Sequence, residues 1–288
     1  MFVVAGASGN TGSVVARTLL AHQQKVRVLL RSEAKAAAWR AQGAEVALGE
    51  VDNRESLAAA LRGASGAYLL LPPDYTATDP IGRGQRLSDN LAAAIEQAQV
   101  PHVTLLSSVG AELSAGNGIV RTLYQAEQRL ARIGTGMTFL RAAYFMENWA
   151  SSFAMALQSG TLYGFLGPAD RKIPMVATQD IGFVAAYSLM LATRSTRIIE
   201  LAGPQDYSPA DAAATLGRVS GKTIAAAVAP LEGMVPMLTQ FGMAAESAAE
   251  MAGLIEGVNA GRIQFGQPGT QPIRGTTTLE QVFAAIVQ

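Results

Sequence analysis

The sequence predicts an α/β protein, a doubly wound parallel sheet joined to a smaller α/β C-terminal lobe. Three observations carry that expectation. Short β-branched runs alternate with longer Ala-rich stretches through the first half, the rhythm of parallel strands joined by crossover helices. A Gly-rich turn stands between the first such run and the first helical stretch. Hydrophobic residues fill 49% of the 288 positions and charged residues 15%, enough apolar side chain for a sizeable core and too little charge for a disordered chain.

Taken in order, the apolar runs place strands at residues 2–5, 26–30, 45–48, 67–71, 103–106 and 137–140. Ala-rich helical patterns fall between them at 12–21, 33–42, 54–61, 79–99 and 120–133, separated by polar turn material at Gly43 and at residues 49–53, 72–74 and 107–118. After Arg141 the pattern loosens, with Pro/Gly punctuation at 164–168, 203–204 and 266–272. Helices are expected there at 148–157, 178–192, 209–219 and in a methionine-bearing stretch at 231–255. No tandem repeat or low-complexity linker separates the halves. The division expected is a ligand-binding sheet domain at 1–145 and a smaller substrate lobe at 146–288, sharing one core.

Composition removes several functions. Lys plus Arg total 22 and Asp plus Glu total 22, so the chain has no net field to hold nucleic acid or an acidic membrane surface. The absence of cysteine excludes disulfides, thiolate metal sites and a cysteine nucleophile. Two histidines, His22 and His102, are too few for most histidine-built metal centres. The first residues carry no basic leader region, and charges or Gly/Pro break every apolar stretch before about 18 residues, so a cytoplasmic location is expected.

The chemistry begins at Gly6-Ala-Ser-Gly9-Asn-Thr-Gly12. Gly6 permits a tight exit from the strand, Gly9 lets backbone approach a pyrophosphate, and Gly12 lets the helix pack close to the sheet. The helix start presents free N–H groups to phosphate, with Ser8, Asn10 and Thr11 as further donors. An ordinary Gly-rich turn is the plainer alternative; the strand before it, the helix after it and its place in the first βα unit favour a dinucleotide, the arrangement of a Rossmann domain. No Lys-Ser/Thr pair follows, which disfavours triphosphate hydrolysis. At the end of the second strand stands Arg31, where an acidic residue would grip the ribose of NAD; a guanidinium suits the 2′-phosphate of NADP(H). Lys35 adds a positive charge there or lies on a solvated helix face, and Glu33 is the competing candidate for a ribose contact.

The turn Gly6–Gly12, the run Val26-Arg-Val-Leu-Leu-Arg31, the segment Gly49-Glu-Val-Asp52 and Leu105-Leu-Ser-Ser-Val-Gly110 resemble the NmrA-like group of atypical short-chain dehydrogenases/reductases. So do Thr138-Phe-Leu-Arg141, Phe145-Met-Glu-Asn148, Asp180-Ile-Gly182, Leu201-Ala-Gly-Pro204 and Arg274-Gly-Thr-Thr-Thr-Leu279. The resemblance covers essentially the whole chain. It implies a Rossmann domain with a small substrate lobe, a cleft between them, Arg31 beside the adenosine phosphate and Asp52 among the cofactor contacts. The group holds NADPH-dependent quinone and dye reductases as well as dinucleotide-sensing regulators. The chain departs from the group at Ala142, where proline is usual, and at Tyr124, where Lys or His often stands three residues before Glu127.

A typical short-chain dehydrogenase pairs Tyr with Lys four residues on, the cation lowering the phenol's pKa. None of the seven tyrosines here has that lysine. Alcohol–ketone chemistry by that route is therefore disfavoured, and with it a sugar-nucleotide reductase or epimerase. A quinone-like or other conjugated small-molecule acceptor needs less, because hydride addition gives a delocalised anion that water protonates, and catalysis reduces to orientation. Ser107, at the end of the fifth strand, is read as a partner of nicotinamide or acceptor, or as a turn cap. Tyr124 is the other catalytic candidate, with half-buried packing as its plainer role. Leu71 and the Pro72-Pro-Asp-Tyr75 segment are expected along the cleft, Tyr144 at cofactor and substrate, and Tyr75, Phe145, Asn148 and Met234 at the substrate. The expected activity is NADPH-dependent reduction of such an acceptor; the rival is an NADP(H)-binding redox sensor without turnover. The oligomeric state is left open, a homodimer among the options.

Overall fold

The computed structural model describes residues 1–287, so Gln288, the last residue of the expected C-terminal lobe, lies outside the described residues. In chain order the sheet domain runs β1 (Phe2–Val4), α1 (Asn10–Ala21), β2 (Val26–Leu30), α2 (Ala36–Ala41), β3 (Glu45–Leu48), α3 (Arg54–Leu61), β4 (Gly66–Leu69), α4 (Pro80–Ala98), β5 (His102–Ser108), α5 (Arg121–Leu130) and β6 (Gly136–Ala142). There follow β7 (Tyr144–Phe145), α6 (Phe153–Ser159), β8 (Thr161–Gly164), β9 (Ile173–Val176), α7 (Thr178–Met190), β10 (Arg197–Ala202) and β11 (Asp206–Tyr207). The chain closes with α8 (Pro209–Ser220), β12 (Ala225–Val228), α9 (Met234–Gln240), α10 (Ala245–Asn259), β13 (Gln271–Arg274) and α11 (Leu279–Val287).

The main sheet has eight parallel strands in the order β13-β10-β6-β5-β4-β1-β2-β3. Strand order reverses at β1, which pairs with β2 on one side and β4 on the other, so a crevice opens at the carboxyl ends of β1 and β4. Six of these strands were expected from the apolar runs. The other two, β10 and β13, come from the second half; β13 is an edge strand containing Pro272, whose missing N–H an edge tolerates. Because β10 and α7 complete the sheet domain, Ile181, Ala185, Leu189, Ile199 and Leu201 share one buried cluster with Val15, Leu19, Val28 and Leu30. The opposite face of the sheet packs Val3, Leu69, Val103, Leu105 and Phe139 against Leu57, Leu91, Ile95 and Leu130 of α3, α4 and α5. A third cluster, around Trp149, Phe153, Leu216 and Phe283, is the core of the smaller lobe.

Local chemistry sets the boundaries. Asn53 caps α3 by accepting from the Ser56 amide at 2.9 Å, and Asp79 caps α4 by accepting from Gly82 at 2.8 Å with Pro80 at the first turn. Ser208 and Asp211 form a reciprocal capping box on α8. Three expected helices differ in form. The stretch at 33–42 opens as a 3-10 turn over Glu33–Lys35, and that at 148–157 opens inside a 3-10 segment over Met146–Ser152 before α6 begins at Phe153. The methionine-bearing stretch is two helices, α9 and α10, broken where Gly242 takes φ +90°, a left-handed turn that a continuous helix excludes.

The α1 and α7 helices meet at close range. A Cβ at Gly182 would overlap the Val14 side chain and lie 3.1 Å from the Thr11 carbonyl oxygen, so only glycine admits the contact that presses α7 onto α1. Replacing Gly182 by Ala is expected to destabilise the protein by about 1–3 kcal/mol in urea unfolding, the usual cost of overpacking. Gly233→Ala, at a site with open space around the added methyl, serves as the control and should change stability little.

Candidate functional site

The site is built on the turn between β1 and α1. Gly6 has φ +67°, and a Cβ there would sit 2.7 Å from Leu70 Cδ2 across the switch point. A Cβ at Gly12 would overlap the Gly6 carbonyl and lie 2.7 Å from the Ala5 carbonyl, so the first turn of α1 sits directly on the strand exit. The Gly9 amide is spent on Gly6 O at 2.9 Å, and Ser13 N returns to Gly9 O at 3.2 Å. The amides of Asn10, Thr11 and Gly12 find no acceptor among the described residues, and the helix has neither a side-chain cap nor an acidic residue in its first turn. Ser8 and Asn10 are exposed on this turn. Thr11 is buried, its Oγ1 accepting from the Tyr68 hydroxyl at 2.9 Å; burial pushes the Tyr68 phenol well above its ordinary range, so it stays a donor beneath the turn. Uncapped amides over a strand exit where Gly6 and Gly12 leave no room for a Cβ fit a pyrophosphate, the group expected there from the sequence.

Positive charge lies beside the turn. Arg31 is exposed at the end of β2 with no carboxylate at salt-bridge distance among the described residues. Lys35 Nζ donates to the Ser8 carbonyl at 3.3 Å, bringing its ammonium against the Gly-rich turn. Glu33, the competing ribose candidate, is paired with Arg40.

At the carboxyl ends of β4 and β5 a pocket of about 210 Å³ opens between α4 and α5. Leu71, Pro72, Pro73, Ile119, Val120 and Leu123 supply apolar wall, and Arg83, Asp74 and Ser108 supply polar groups. Arg83 organises this edge. It donates to Pro72 O at 2.8 Å and to Asp52 Oδ2 at 2.9 Å, and its Nε lies 3.5 Å from Asp74 Oδ2. Hydrogen bonds from the Thr76 hydroxyl and amide, with a smaller contribution from Arg83, hold the Asp74 carboxyl below the usual carboxylate range. Asp52, expected at the cofactor, is thus held by Arg83 through its carboxylate and by Asn90 through its carbonyl at 2.7 Å.

Ser107 needs correction as a donor. It is buried and gives its hydroxyl hydrogen to Glu127 Oε1 at 2.6 Å. Glu127 also receives Arg141 Nε at 3.1 Å and Nη2 at 2.6 Å, while Arg141 Nη1 reaches Glu112 Oε2 at 3.1 Å. Register aligns Ser107, Arg141 and Glu200 across β5, β6 and β10. Burial pushes Glu112 up and outweighs Arg141. This network went unread in the sequence, although a charged residue ending the apolar run Thr138–Arg141 was its signal.

Tyr124 is half-buried on α5, and the residues of that turn lining the pocket are Thr122 and Leu123. Tyr144 and Phe145 form β7, at the joint of the two lobes; Tyr144 stands edge-on to Trp149 with ring centroids 6.2 Å apart. Burial pushes the Tyr144 phenol up to about 12, a hydrogen bond with Asn148 partly opposing the shift. Asn148 is exposed, and Tyr75 is exposed on the β4–α4 loop with its carbonyl accepting from Ala244 N at 2.9 Å. Met234 corrects the expectation of a substrate wall, because it is buried in the core of the smaller lobe. His102 is buried, with Nδ1 on the Thr193 carbonyl at 3.1 Å, and burial holds its imidazole below the ordinary range; His22 stacks edge-on against Tyr187 at the surface.

Residues 1–273 match the NmrA-like family. The NAD(P)H azoreductase of Xenophilus azovorans is 27% identical over 245 residues, covering 84% of this chain and 82% of that protein. Quinone oxidoreductase 2 of Escherichia coli is 27% identical over 226 residues, covering 78% and 76%. The crystal structure of an Escherichia coli NADPH-dependent quinone oxidoreductase complexed with NADPH superposes with a TM-score of 0.81 at 24% identity, covering 100% of both chains.

The Glu127–Arg141 pair yields a test. Glu127→Ala strips a bidentate carboxylate from a buried guanidinium and is expected to cost about 3 kcal/mol in urea unfolding. A loss under about 1 kcal/mol would mean that water reaches Arg141 and solvates it.

Proposed function

The chain belongs to the NmrA-like family, and on that premise we propose that it is an NADPH-dependent oxidoreductase acting on a quinone-like or other conjugated small-molecule acceptor. The observation that carries this reading is the set of uncapped amides at Asn10, Thr11 and Gly12 beside Arg31 and Lys35, above a strand exit that admits no side chain. The amides of α1 take the pyrophosphate, and Arg31, whose charge has no carboxylate partner among the described residues, takes the 2′-phosphate. Lys35, anchored on the Ser8 carbonyl, adds attraction at the same edge. When bound, NADPH supplies a hydride, and the reduced acceptor then needs one proton.

The chain's own residues orient rather than protonate. Tyr144 carries a phenol pushed up to about 12, so it keeps its proton and serves as a hydrogen-bond donor at the joint of the lobes. Ser107 has its hydrogen committed to Glu127, and no tyrosine has a lysine one turn on. The proton therefore comes from solvent, which a delocalised anion accepts without a positioned acid. The pocket wall of Leu71, Pro72, Pro73, Ile119, Val120 and Leu123 suits a flat apolar ring. The proposal places this chemistry in the cytoplasm.

A second reading, a dinucleotide-dependent sensor, is favoured by one feature. Phe183 and Tyr187 of α7 and Leu191 just after its end are exposed, 38%, 48% and 72% respectively, an apolar stripe suited to a protein partner.

Calorimetry with NADPH and NADH, followed by stopped-flow absorbance with a panel of quinones, separates the readings. Tight NADPH binding with oxidation on adding quinone is the expected result, and binding without oxidation by any acceptor favours the sensor. Arg31→Ala is expected to weaken NADPH at least about tenfold and NADH less than about twofold, a difference of roughly 1.4 kcal/mol or more; equal losses would mean that another group holds the phosphate.

A further inference from the structure

The pocket wall carries two charged side chains, and their arrangement bears on which acceptor enters. Arg83 lies at the end of the first turn of α4 with its side chain only 21% exposed. Each of its nitrogens has a partner: Nη1 donates to the Pro72 carbonyl at 2.8 Å, Nη2 to Asp52 Oδ2 at 2.9 Å, and Nε lies 3.5 Å from Asp74 Oδ2. Asp74 is fixed in turn by the Thr76 amide at 3.0 Å and hydroxyl at 2.7 Å. Two carboxylates thus face one guanidinium, and the cluster carries one negative charge in excess. The next cation along α4, Arg86, is paired with Asp79 at 3.3 Å and offers no compensation.

Resting on the oxidoreductase reading above, we propose that the Asp52–Arg83–Asp74 cluster is a charge filter on the acceptor pocket, selecting uncharged conjugated rings and rejecting those that carry a carboxylate or sulfonate. An anionic ring entering between α4 and α5 would shed its hydration beside Asp74, whose carboxylate lines the pocket, and beside a guanidinium whose charge the Asp52 carboxylate already balances. An uncharged ring loses no such hydration and meets the apolar wall. The discrimination is built from a repulsive element rather than an added attraction. Because Asp52 and Asp74 are partly exposed, salt weakens it.

The same guanidinium ties the β3–α3 loop, through Asp52, to the β4–α4 loop, through Pro72 and Asp74. Those loops border the carboxyl ends of the strands where the dinucleotide is assigned. Arg83 is therefore a positioning residue for the pocket wall as well as the centre of the filter. Asparagine at either carboxylate keeps an oxygen that accepts from Arg83, so the substitution changes the charge the pocket meets while keeping the tie between the loops.

The test compares binding of naphthoquinone and naphthoquinone sulfonate to the full chain loaded with NADP⁺, by calorimetry, for the wild type, Asp74→Asn and Asp52→Asn. Wild type is expected to bind the uncharged quinone at least about tenfold more tightly than the sulfonate, with the gap narrowing as salt rises. Asp74→Asn should shrink that gap about fivefold or more while changing affinity for the uncharged quinone less than about threefold, and Asp52→Asn should move it the same way. An unchanged ratio in both variants, equal weakening of both ligands, or no binding of either quinone by wild type overturns the filter. Steady-state turnover, measured beside binding, separates this inference from the reading beneath it. A shifted ratio without NADPH oxidation by any acceptor keeps the filter and removes hydride transfer, whereas turnover with an unshifted ratio does the reverse.

Discussion

The first turn of α1 rests on the exit of β1 so closely that a single methyl group at Gly12 would overlap the carbonyl of Gly6. That contact fixes where three unsatisfied amides point. It places them at β1, where the strand order reverses and a crevice exists without any loop having to make one. The rest of the molecule supports this placement. Tyr68 fills the space under the turn and holds Thr11 from below, and α7 is drawn against α1 through Gly182. The opening amides of α1 carry no cap on an exposed Gly-rich turn, which leaves them open to an anionic ligand at the helix's positive end.

The smaller lobe is tied to this edge by backbone as well as side chains. The α10 helix starts on the β4–α4 loop, where Ala244 N meets the Tyr75 carbonyl and Ser247 Oγ meets the Ala77 carbonyl at 2.7 Å. Farther along, Glu250 pairs with Arg121 at 3.2 Å at the start of α5, and Gly118 lies so close to α10 that a side chain would overlap it. On the far side Glu147 accepts from both the amide and the hydroxyl of Thr178, and Asp180 from the amide and hydroxyl of Thr277. Those contacts anchor α7 to the segments that precede and follow it. The carboxyl edge of the sheet is therefore braced from both flanks, which suits chemistry that depends on holding two flat molecules in one orientation.

The turn at Gly6–Gly12 and the alternation of strands and helices were legible in the sequence because both are local: periodicity and glycine spacing survive without knowledge of the partner. The two extra strands of the sheet were not. The β10 strand lies in the half whose rhythm loosens, and β13 is four residues with a proline. The site divided the same way. Lys35 reaches the turn through the Ser8 carbonyl, and Arg31 is exposed just past the end of β2, the strand beside β1. Ser107 is bonded to Glu127 of α5, 20 residues along the chain, and faces Arg141 across the β5–β6 register, and no spacing rule reports pairings that packing and register set. Met234 shows the opposite error: a flexible apolar residue reads equally well as cleft wall or core, and only packing decides. Arg83 carried no sequence signal at all, because its meaning depends on two loops that meet only in the folded chain.

The claim that the uncapped start of α1 receives a dinucleotide pyrophosphate is tested most directly by amide-resolved NMR of the full chain with and without NADPH. The account predicts that the Asn10, Thr11 and Gly12 amides shift and become protected from hydrogen exchange on saturation. Saturable binding that leaves those three amides unmoved and unprotected, with the changes gathered elsewhere, would contradict it.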